Sequence, residues 1–290
     1  MGRILKIGRA SDANSIERTS IPWNGRQNPQ NMCLLLIAHQ VREDYPLVLL
    51  ANRDEFLNRP TAPLAFWDDA PDVLAGRDLS ARGTWLGVSR AGRIAAVTNY
   101  REPGLHRADA ESRGDLVTGF LISNAEPFAY LDDVGRRATH YNGFNLLAWR
   151  ARALGYLSNR SGATSTRLGP GLFGLSNHLL DTPWPKVLLG KEKLRAALAE
   201  SRLHPEALLD LVSATDVAPD NELPDTGMTL EEERALSAMF VRLDGYGTRS
   251  TSLILVNDRS QVDFYERTHD AAGAVAGVSH VTMKFEFHSE

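Results

Sequence analysis

The chain carries one cysteine, Cys33, at the head of the apolar run CLLLIA and directly after an internal methionine, Met32. A thiol in that place admits two readings. It is a small buried hydrophobe, as a lone cysteine in an apolar strand usually is. Alternatively, translation starts at Met32, or the segment ahead of Cys33 is removed, and Cys33 becomes the first residue. Thiol and α-amine then lie within one residue. A free α-amine has a pKa of about 7.7–8.0, so it accepts the thiol proton near neutrality. The amine then does what a histidine does in other cysteine enzymes.

Other candidate residues stand where apolar runs end. Asn52, Arg53, Asp54 and Glu55 follow LVLLA, Asn99 closes IAAVTN, Asn177 lies in FGLSNH, and Arg249 lies in GYGTRSTS. Asn and Arg are fixed donors that do not ionise away at neutral pH, which is what an oxyanion or carboxylate site needs. Each also reads as a turn residue or a surface charge. Residues 52–55 read as a solvated strand end, since four adjacent polar groups are buried only with partners. Phe66, Trp67 and Trp184 either line an acyl pocket or pack in the core.

Several function classes are excluded. There is no phosphate-binding glycine loop, no dinucleotide fingerprint, no H-E-x-x-H and no G-x-S-x-G in the sequence. The eight histidines show no ligand spacing, so no metal site is expected. A net charge of −4 gives no overall field towards nucleic acid or anionic membrane. No apolar run approaches the roughly 20 residues of a transmembrane helix. A single cysteine forms no internal disulfide, and the opening MGRILK lacks the apolar core of a secretory signal. The expected location is therefore cytoplasmic.

These residues must be positioned by secondary structure. Residues 1–31 hold five Lys/Arg against two Asp/Glu and keep no period of 2 or 3.6, so they are expected to be disordered or extraneous. Residues 32–290 are read as a single domain. CLLLIAH with PLVLLANRD predicts a hairpin, TWLGVS with GRIAAVTNY a second, GFNLLAW with ALGYLSN a third, and STSLILVND with QVDFYERT a last. Helices are predicted in RGDLVTGFLISNA, EPFAYLDDVGRRA and HPEALLDLVSA, and most clearly in TPWPKVLLGKEKLRAALAES. There Thr182 is the expected N-cap and Pro183 the first helical residue. VAPDNELPDTG reads as a loop. Strands in hairpins with helices in blocks between them predict an α+β fold of two packed antiparallel sheets with helices outside.

The runs MCLLLIA, LLANRDEFLNRP, GTWLGVS, VTNY, YNGFNLL, GLSNHLLDTPWPK and GYGTRSTSLILV, in that order, resemble the NRDE family, also called the Transport and Golgi Organization 2 homolog family. The resemblance runs from Met32 to about Arg267. Members typically begin Met-Cys, so residues 1–31 fall outside it. The family is similar in turn to the N-terminal nucleophile hydrolases, above all the choloylglycine and penicillin-V acylase branch. That likeness implies a four-layer αββα sandwich of two antiparallel sheets flanked by helices. It implies Cys33 as nucleophile, Asn99 as oxyanion donor, Asn177 as the branch's second asparagine, and Arg249 as the arginine that orders the cysteine site. The branch also has Arg-x-x-Asp near its second strand. Asn52-Arg53-Asp54-Glu55 departs from that spacing, which leaves Arg53 with Asp54 or Glu55 to fill those roles.

The implied activity is hydrolysis of linear, non-peptide amides with no cofactor required. Family members are also linked to Golgi organisation and secretion, lipid homeostasis and haem mobilisation. The alternative is therefore a non-catalytic carrier of lipid or haem on the same scaffold, because a fold does not fix a function. Expected partners are a small amide or lipid-like molecule, or haem as cargo. Haem needs an axial ligand or an apolar slot, and the histidines show no motif for either.

Overall fold

The computed structural model describes residues 33–286. Met32 and the expected extension over 1–31 lie outside the described residues. The chain opens with β1 (Cys33–His39), β2 (Leu47–Phe56), β3 (Thr61–Trp67), β4 (Ala70–Asp78), β5 (Leu86–Ser89) and β6 (Arg93–Asn99). Two helices follow, α1 (Gly114–Ile122) and α2 (Pro127–Arg136), then β7 (Phe144–Arg150), β8 (Ala153–Ser158), β9 (Thr166–Leu168) and β10 (Gly171–Leu175). Helices α3 (Pro185–Leu198), α4 (Pro205–Asp210) and α5 (Leu230–Leu236) come next. The last strands are β11 (Arg242–Leu243), β12 (Tyr246–Val256), β13 (Gln261–His269) and β14 (Val275–Lys284).

The strands form two seven-stranded antiparallel sheets. One runs β10-β1-β2-β12-β13-β14 with β11 on β12, and the other runs β3-β4-β5-β6-β7-β8-β9. Alternation along β1 shows how they stack. Cys33, Leu35 and Ile37 join an inter-sheet core with Leu49 and Ala51 of β2 and with Leu86, Ile94 and Ala96 of the facing sheet. Leu34, Leu36 and Ala38 point the other way, into a core with Val187 and Leu194 of α3 and Leu208 of α4. α1 and α2 cover the second sheet through Leu116, Phe120, Leu131 and Val134. The result is a four-layer αββα sandwich. A strand covered on both faces has no solvent side, which is why CLLLIA reads as one unbroken apolar run. Burying each of its leucines is worth roughly 1.5–3 kcal/mol.

The four predicted hairpins form as β1–β2, β5–β6, β7–β8 and β12–β13. The start of α3 differs from expectation. Trp184 is its N-cap and Pro185 takes the first helical position. Thr182 is used elsewhere: its Oγ1 donates to the Leu179 carbonyl at 2.8 Å and contacts His178 Nδ1 at 2.8 Å. Strands β3, β4 and β14 carried little signal. β3 is an edge strand with Pro63 at a bulge, and β14 is an edge strand whose residues are mostly exposed. The loop predicted over 217–227 contains one 3-10 turn, Asp220–Glu222. α5 follows it and begins with a Thr229–Glu232 capping box. Among the described residues no helix is long and apolar enough to cross a membrane.

Candidate active site

The ends of β1, β2 and β6 converge at one edge of the inter-sheet core. A cavity of about 370 Å³ opens there, and Cys33, Arg53 and Asn99 all line it. Cys33 pairs with Arg53 in the β1–β2 register, so the two side chains share a face of the sheet. Asn99 is the last residue of β6. The far wall comes from α1: the first residue of that helix, Gly114, lies so close to Gly83 that a Cβ on Gly83 would fall 2.7 Å from the Gly114 carbonyl carbon. Both glycines line the cavity.

Asn177 ties the site together from a turn after β10. Its backbone has φ +54°, a left-handed conformation that Asn tolerates better than most residues. Its Oδ1 accepts from the Cys33 backbone N–H at 3.0 Å. Its Nδ2 donates to the Asn99 carbonyl at 3.0 Å. The Arg101 N–H donates back to the Asn177 carbonyl at 2.7 Å. One buried amide therefore fixes the end of β1 to the end of β6.

Asn99 itself is buried, and its Nδ2 has no partner among the described residues. An unmade donor of this kind costs about 1–3 kcal/mol. It lines the same cavity as the Cys33 thiol.

The Cys33 thiol is pushed up to about 12, by burial first and then by the Asp54 charge, against the lowering effects of Arg53 and the Asp54 N–H. With a peptide bond on its nitrogen, Cys33 is a thiol at neutral pH and not a nucleophile.

Residues 52–55 are not a solvated strand end, since all four are buried. Alternation splits them between the two faces of β2. Asn52 Nδ2 donates to the Val212 and Met239 carbonyls, both at 2.8 Å, and its Oδ1 accepts from Thr251 at 2.7 Å, so its role is structural. Asp54 shares that face. Its Oδ1 accepts from Thr248 at 2.6 Å while Oδ2 has no partner among the described residues. Burial raises its carboxyl to about 6, and the charge of Lys186 opposes the rise. Lys186, in the first turn of α3, is buried and lowered to about 8 by burial, with its Nζ donating to the Leu236 carbonyl at 2.9 Å.

Arg53 and Glu55 face the other way. The Arg53 guanidinium lies 4.2 Å from the Trp85 ring centroid, 3.3 Å from Glu55 and 3.9 Å from Asp78. Arg59 closes this cluster with contacts of 2.7 Å to Asp78 and 3.5 Å to Glu55.

Arg249 is not brought to the thiol cavity. It occupies a bulge in β12, and its Nη1 donates to the carbonyls of Phe56, Leu57 and Arg59 at 2.8, 3.0 and 3.0 Å. It clasps the β2–β3 turn that carries Arg59. It also lines a second cavity of about 210 Å³, which shares Arg53 and Trp85 with the first. Trp67 and Trp184 belong to hydrophobic cores, and Phe66 packs against one. The aromatics on the thiol cavity are Phe56 and Trp85, and with them Arg59, Asp78 and Arg113, none of which stood out in the sequence. Trp85 lies within TWLGVS and Arg113 starts the RGDLV helix, so both were inside visible motifs. Which face each side chain takes depends on pairings far along the chain.

Among the described residues no group of three or more His, Cys, Asp or Glu is placed to hold a metal ion.

Residues 32–271 match the family model described as Transport and Golgi organisation 2. The Transport and Golgi organization 2 homolog of Mus musculus is 36% identical over 257 residues, covering 82% of this chain and 93% of that protein. The homolog of Homo sapiens is 37% identical over 257 residues with the same coverage of both. The Drosophila melanogaster Transport and Golgi organization protein 2 is 28% identical over 250 residues, covering 77% and 86%. Among solved structures, the chain is similar to a Caenorhabditis elegans N-acylethanolamine-hydrolyzing acid amidase ortholog. That likeness has a TM-score of 0.39 and 9% identity over 77% of this chain and 92% of that one.

Proposed function

The chain belongs to the Transport and Golgi organisation 2 family, and from that premise we propose that it is an N-terminal cysteine-nucleophile hydrolase of linear, non-peptide amides. The observation that carries the reading is the placement of an unpartnered donor, Asn99 Nδ2, on the cavity that holds Cys33, whose own nitrogen is held by Asn177. The domain spans 32–290, and loss of residues 1–31 with Met32 frees the Cys33 amine.

The freed amine keeps its hydrogen bond to Asn177 Oδ1 and takes the thiol proton. The thiolate attacks the amide carbonyl carbon, and the carbonyl oxygen becomes an oxyanion that accepts from Asn99 Nδ2. Asp54, whose charge acts strongly on Cys33, favours the protonated amine. That ammonium gives its proton to the leaving nitrogen as the carbon–nitrogen bond breaks, leaving a thioester on Cys33. Water, deprotonated by the same amine, cleaves the thioester to a carboxylic acid and the free thiol. No cofactor enters any step. A reducing cytoplasm suits a nucleophile that oxidation would destroy.

A carrier of lipid or haem needs no terminal thiol beside an unpartnered amide, so that reading is the weaker one. Saturable binding of haem at micromolar protein, with no turnover of any amide, would reverse the order.

N-terminal mass spectrometry of the protein made from its native gene tests the proposal. Cys33 is expected as the first residue of the active species. Activity in a species that keeps residues ahead of Cys33 would contradict it.

A further inference from the structure

Four charged side chains near the thiol site are at most 4% exposed: Asp54, Arg101, Lys186 and Glu233. They are two cations and two anions. Arg101 and Glu233 are matched, with Nη1 to Oε2 at 2.5 Å and the guanidinium 4.6 Å from the Trp184 ring centroid. That leaves Asp54 and Lys186. One segment meets both. After α5 the chain crosses the outer face of β2 and is pinned there by polar contacts. Lys186 Nζ donates to the Leu236 carbonyl at 2.9 Å, and Asn52 Nδ2 donates to the Met239 carbonyl at 2.8 Å. The Val241 N–H donates to Thr248 Oγ1 at 2.9 Å, and Thr248 in turn donates to Asp54 Oδ1 at 2.6 Å. The helix that carries Lys186 is fixed over the head of β1. Val187 shares a core with Leu34, the residue after Cys33, and a Cβ on Gly190 would fall 2.8 Å from Leu36 Cδ1. Asp54 Oδ2 has no partner among the described residues, and the Lys186 ammonium uses one of its three donors, on Leu236. Each feels the other. The Lys186 charge holds the Asp54 carboxyl down against burial, and the Asp54 charge holds the Lys186 ammonium up. Arg53 also acts on Asp54, but it is shared with Glu55 and Asp78, and the Glu55 charge opposes it. Arg101 opposes the Lys186 ammonium, and Cys33 and Glu233 support it. A buried carboxylate without a cation takes up a proton instead of staying charged.

We propose that Lys186 is a positioning residue of the thiol site: it is the buried cation that keeps Asp54 ionised beside Cys33. The Asp54 N–H and the Asp54 charge both act on the Cys33 thiol. Where the hydrolase reading holds, on which this role in catalysis rests, ionised Asp54 favours the protonated amine of Cys33. Lys186 then governs the proton that reaches the leaving nitrogen, without contact with the substrate. As pH falls, Asp54 takes up a proton and the amine loses its counter-charge. Without Lys186 that loss begins at higher pH.

The test is an NMR titration of the full chain made with isotopically labelled cysteine. One cysteine gives one Cβ resonance. The thiol, pushed up to about 12, does not titrate between about pH 4 and pH 9, so the resonance follows the charges around it, Asp54 first. In the wild-type chain it should turn near pH 6, and Asp54→Asn should abolish the turn. Lys186→Met should move the midpoint up by at least about one pH unit, and Lys186→Arg, which keeps the cation, should leave it within about half a unit of wild type. Anchoring of Leu236 alone would change stability and not this midpoint. If Lys186→Met does not fold, the double variant with Asp54→Asn is expected to, because neither charge is left alone. A wild-type chain without a turn that Asp54→Asn removes, an unmoved midpoint in Lys186→Met, or a double variant that also fails to fold would each overturn the proposal. The titration needs no turnover, so a chain that cleaves no amide counts against the hydrolase reading alone.

Discussion

The backbone N–H of Cys33 donates to the side-chain oxygen of Asn177 at 3.0 Å, across 144 residues of sequence. The nitrogen that the proposed mechanism uses as its base is thus held in one orientation. Asn177 takes its other bearing from the Asn99 carbonyl, so Cys33 and Asn99, the proposed nucleophile and oxyanion donor, share one buried amide as a reference point. Each element of this arrangement makes a separate prediction.

Asn177 is expected to be both a stability and an activity residue. Asn177→Ala leaves the Cys33 N–H and the Asn99 carbonyl unpaired and places a Cβ at φ +54° without the local hydrogen bonding that favours Asn. A loss of roughly 2–4 kcal/mol in denaturant unfolding should follow. Asn177→Gly relieves the backbone and not the hydrogen bonds, so it should fall between wild type and alanine in stability while remaining inactive.

Asn99 should behave in the opposite way. Its Nδ2 has no partner to lose among the described residues, so Asn99→Ala should unfold within about 1 kcal/mol of wild type. Its kcat on an N-acyl amide should fall by about 10²–10³, the usual cost of one oxyanion donor. Steady-state kinetics beside urea unfolding separate the two effects. A large stability loss with normal kcat would assign Asn99 a packing role.

The thiol itself should be silent while its nitrogen is in a peptide bond. A pKa of about 12 leaves on the order of a thousandfold less thiolate near neutrality than a free cysteine has. Alkylation of the 290-residue chain with iodoacetamide at about pH 7.5, read by intact mass, should therefore be far slower than for a model thiol. A chain whose first residue is Cys33 should react much faster.

Buried carboxylates set the direction of the pH dependence. Burial raises Glu266 to about 7, above the usual carboxylate range, although its Oε1 accepts from the Leu64 N–H at 2.7 Å. The folded chain keeps a proton there that the unfolded chain has lost. The stability this gives is fully present below the ordinary carboxylate pKa and is lost as pH rises through about 7. Glu266→Gln keeps the acceptor and removes the charge. It should be more stable than wild type by on the order of 1–3 kcal/mol near pH 8, with little difference near pH 4. Asp54, raised to about 6, acts in the same direction. Chemical denaturation across this range checks the slope.

Much of this was legible in the sequence, for identifiable reasons. The hairpins are local, and their apolar runs are bounded by turn residues, so β1 with β2 and β12 with β13 could be read directly. The layering followed from strands in hairpins with helices in blocks between them. Edge strands were not legible. β3 carries a proline and two register shifts, and β14 alternates weakly because much of it faces solvent. Cys33, Asn99 and Asn177, which the fold brings together, stood out because Cys33 heads an apolar run, Asn99 closes one and Asn177 lies in a short polar turn. The burial of Asn52 through Glu55 was not legible, since their partners are as distant as Thr248, Thr251 and Met239. Arg113 was hidden for the same reason: a helix N-terminus says nothing about which cavity it will face. Arg249 stood out in its motif, and its work is to hold the turn at Phe56–Arg59.

The central claim is that Cys33 attacks an amide carbonyl once its own amine is free. Trapping the covalent intermediate tests it most directly. A chain beginning at Cys33 and the 290-residue chain are mixed with an N-acyl amide, quenched in acid, and read by intact mass with peptide mapping. The account predicts an acyl thioester on Cys33 in the first chain, none in the second, and an acyl adduct that accumulates more slowly in Asn99→Ala. No adduct on the chain beginning at Cys33, or equal acylation of both chains, would contradict it.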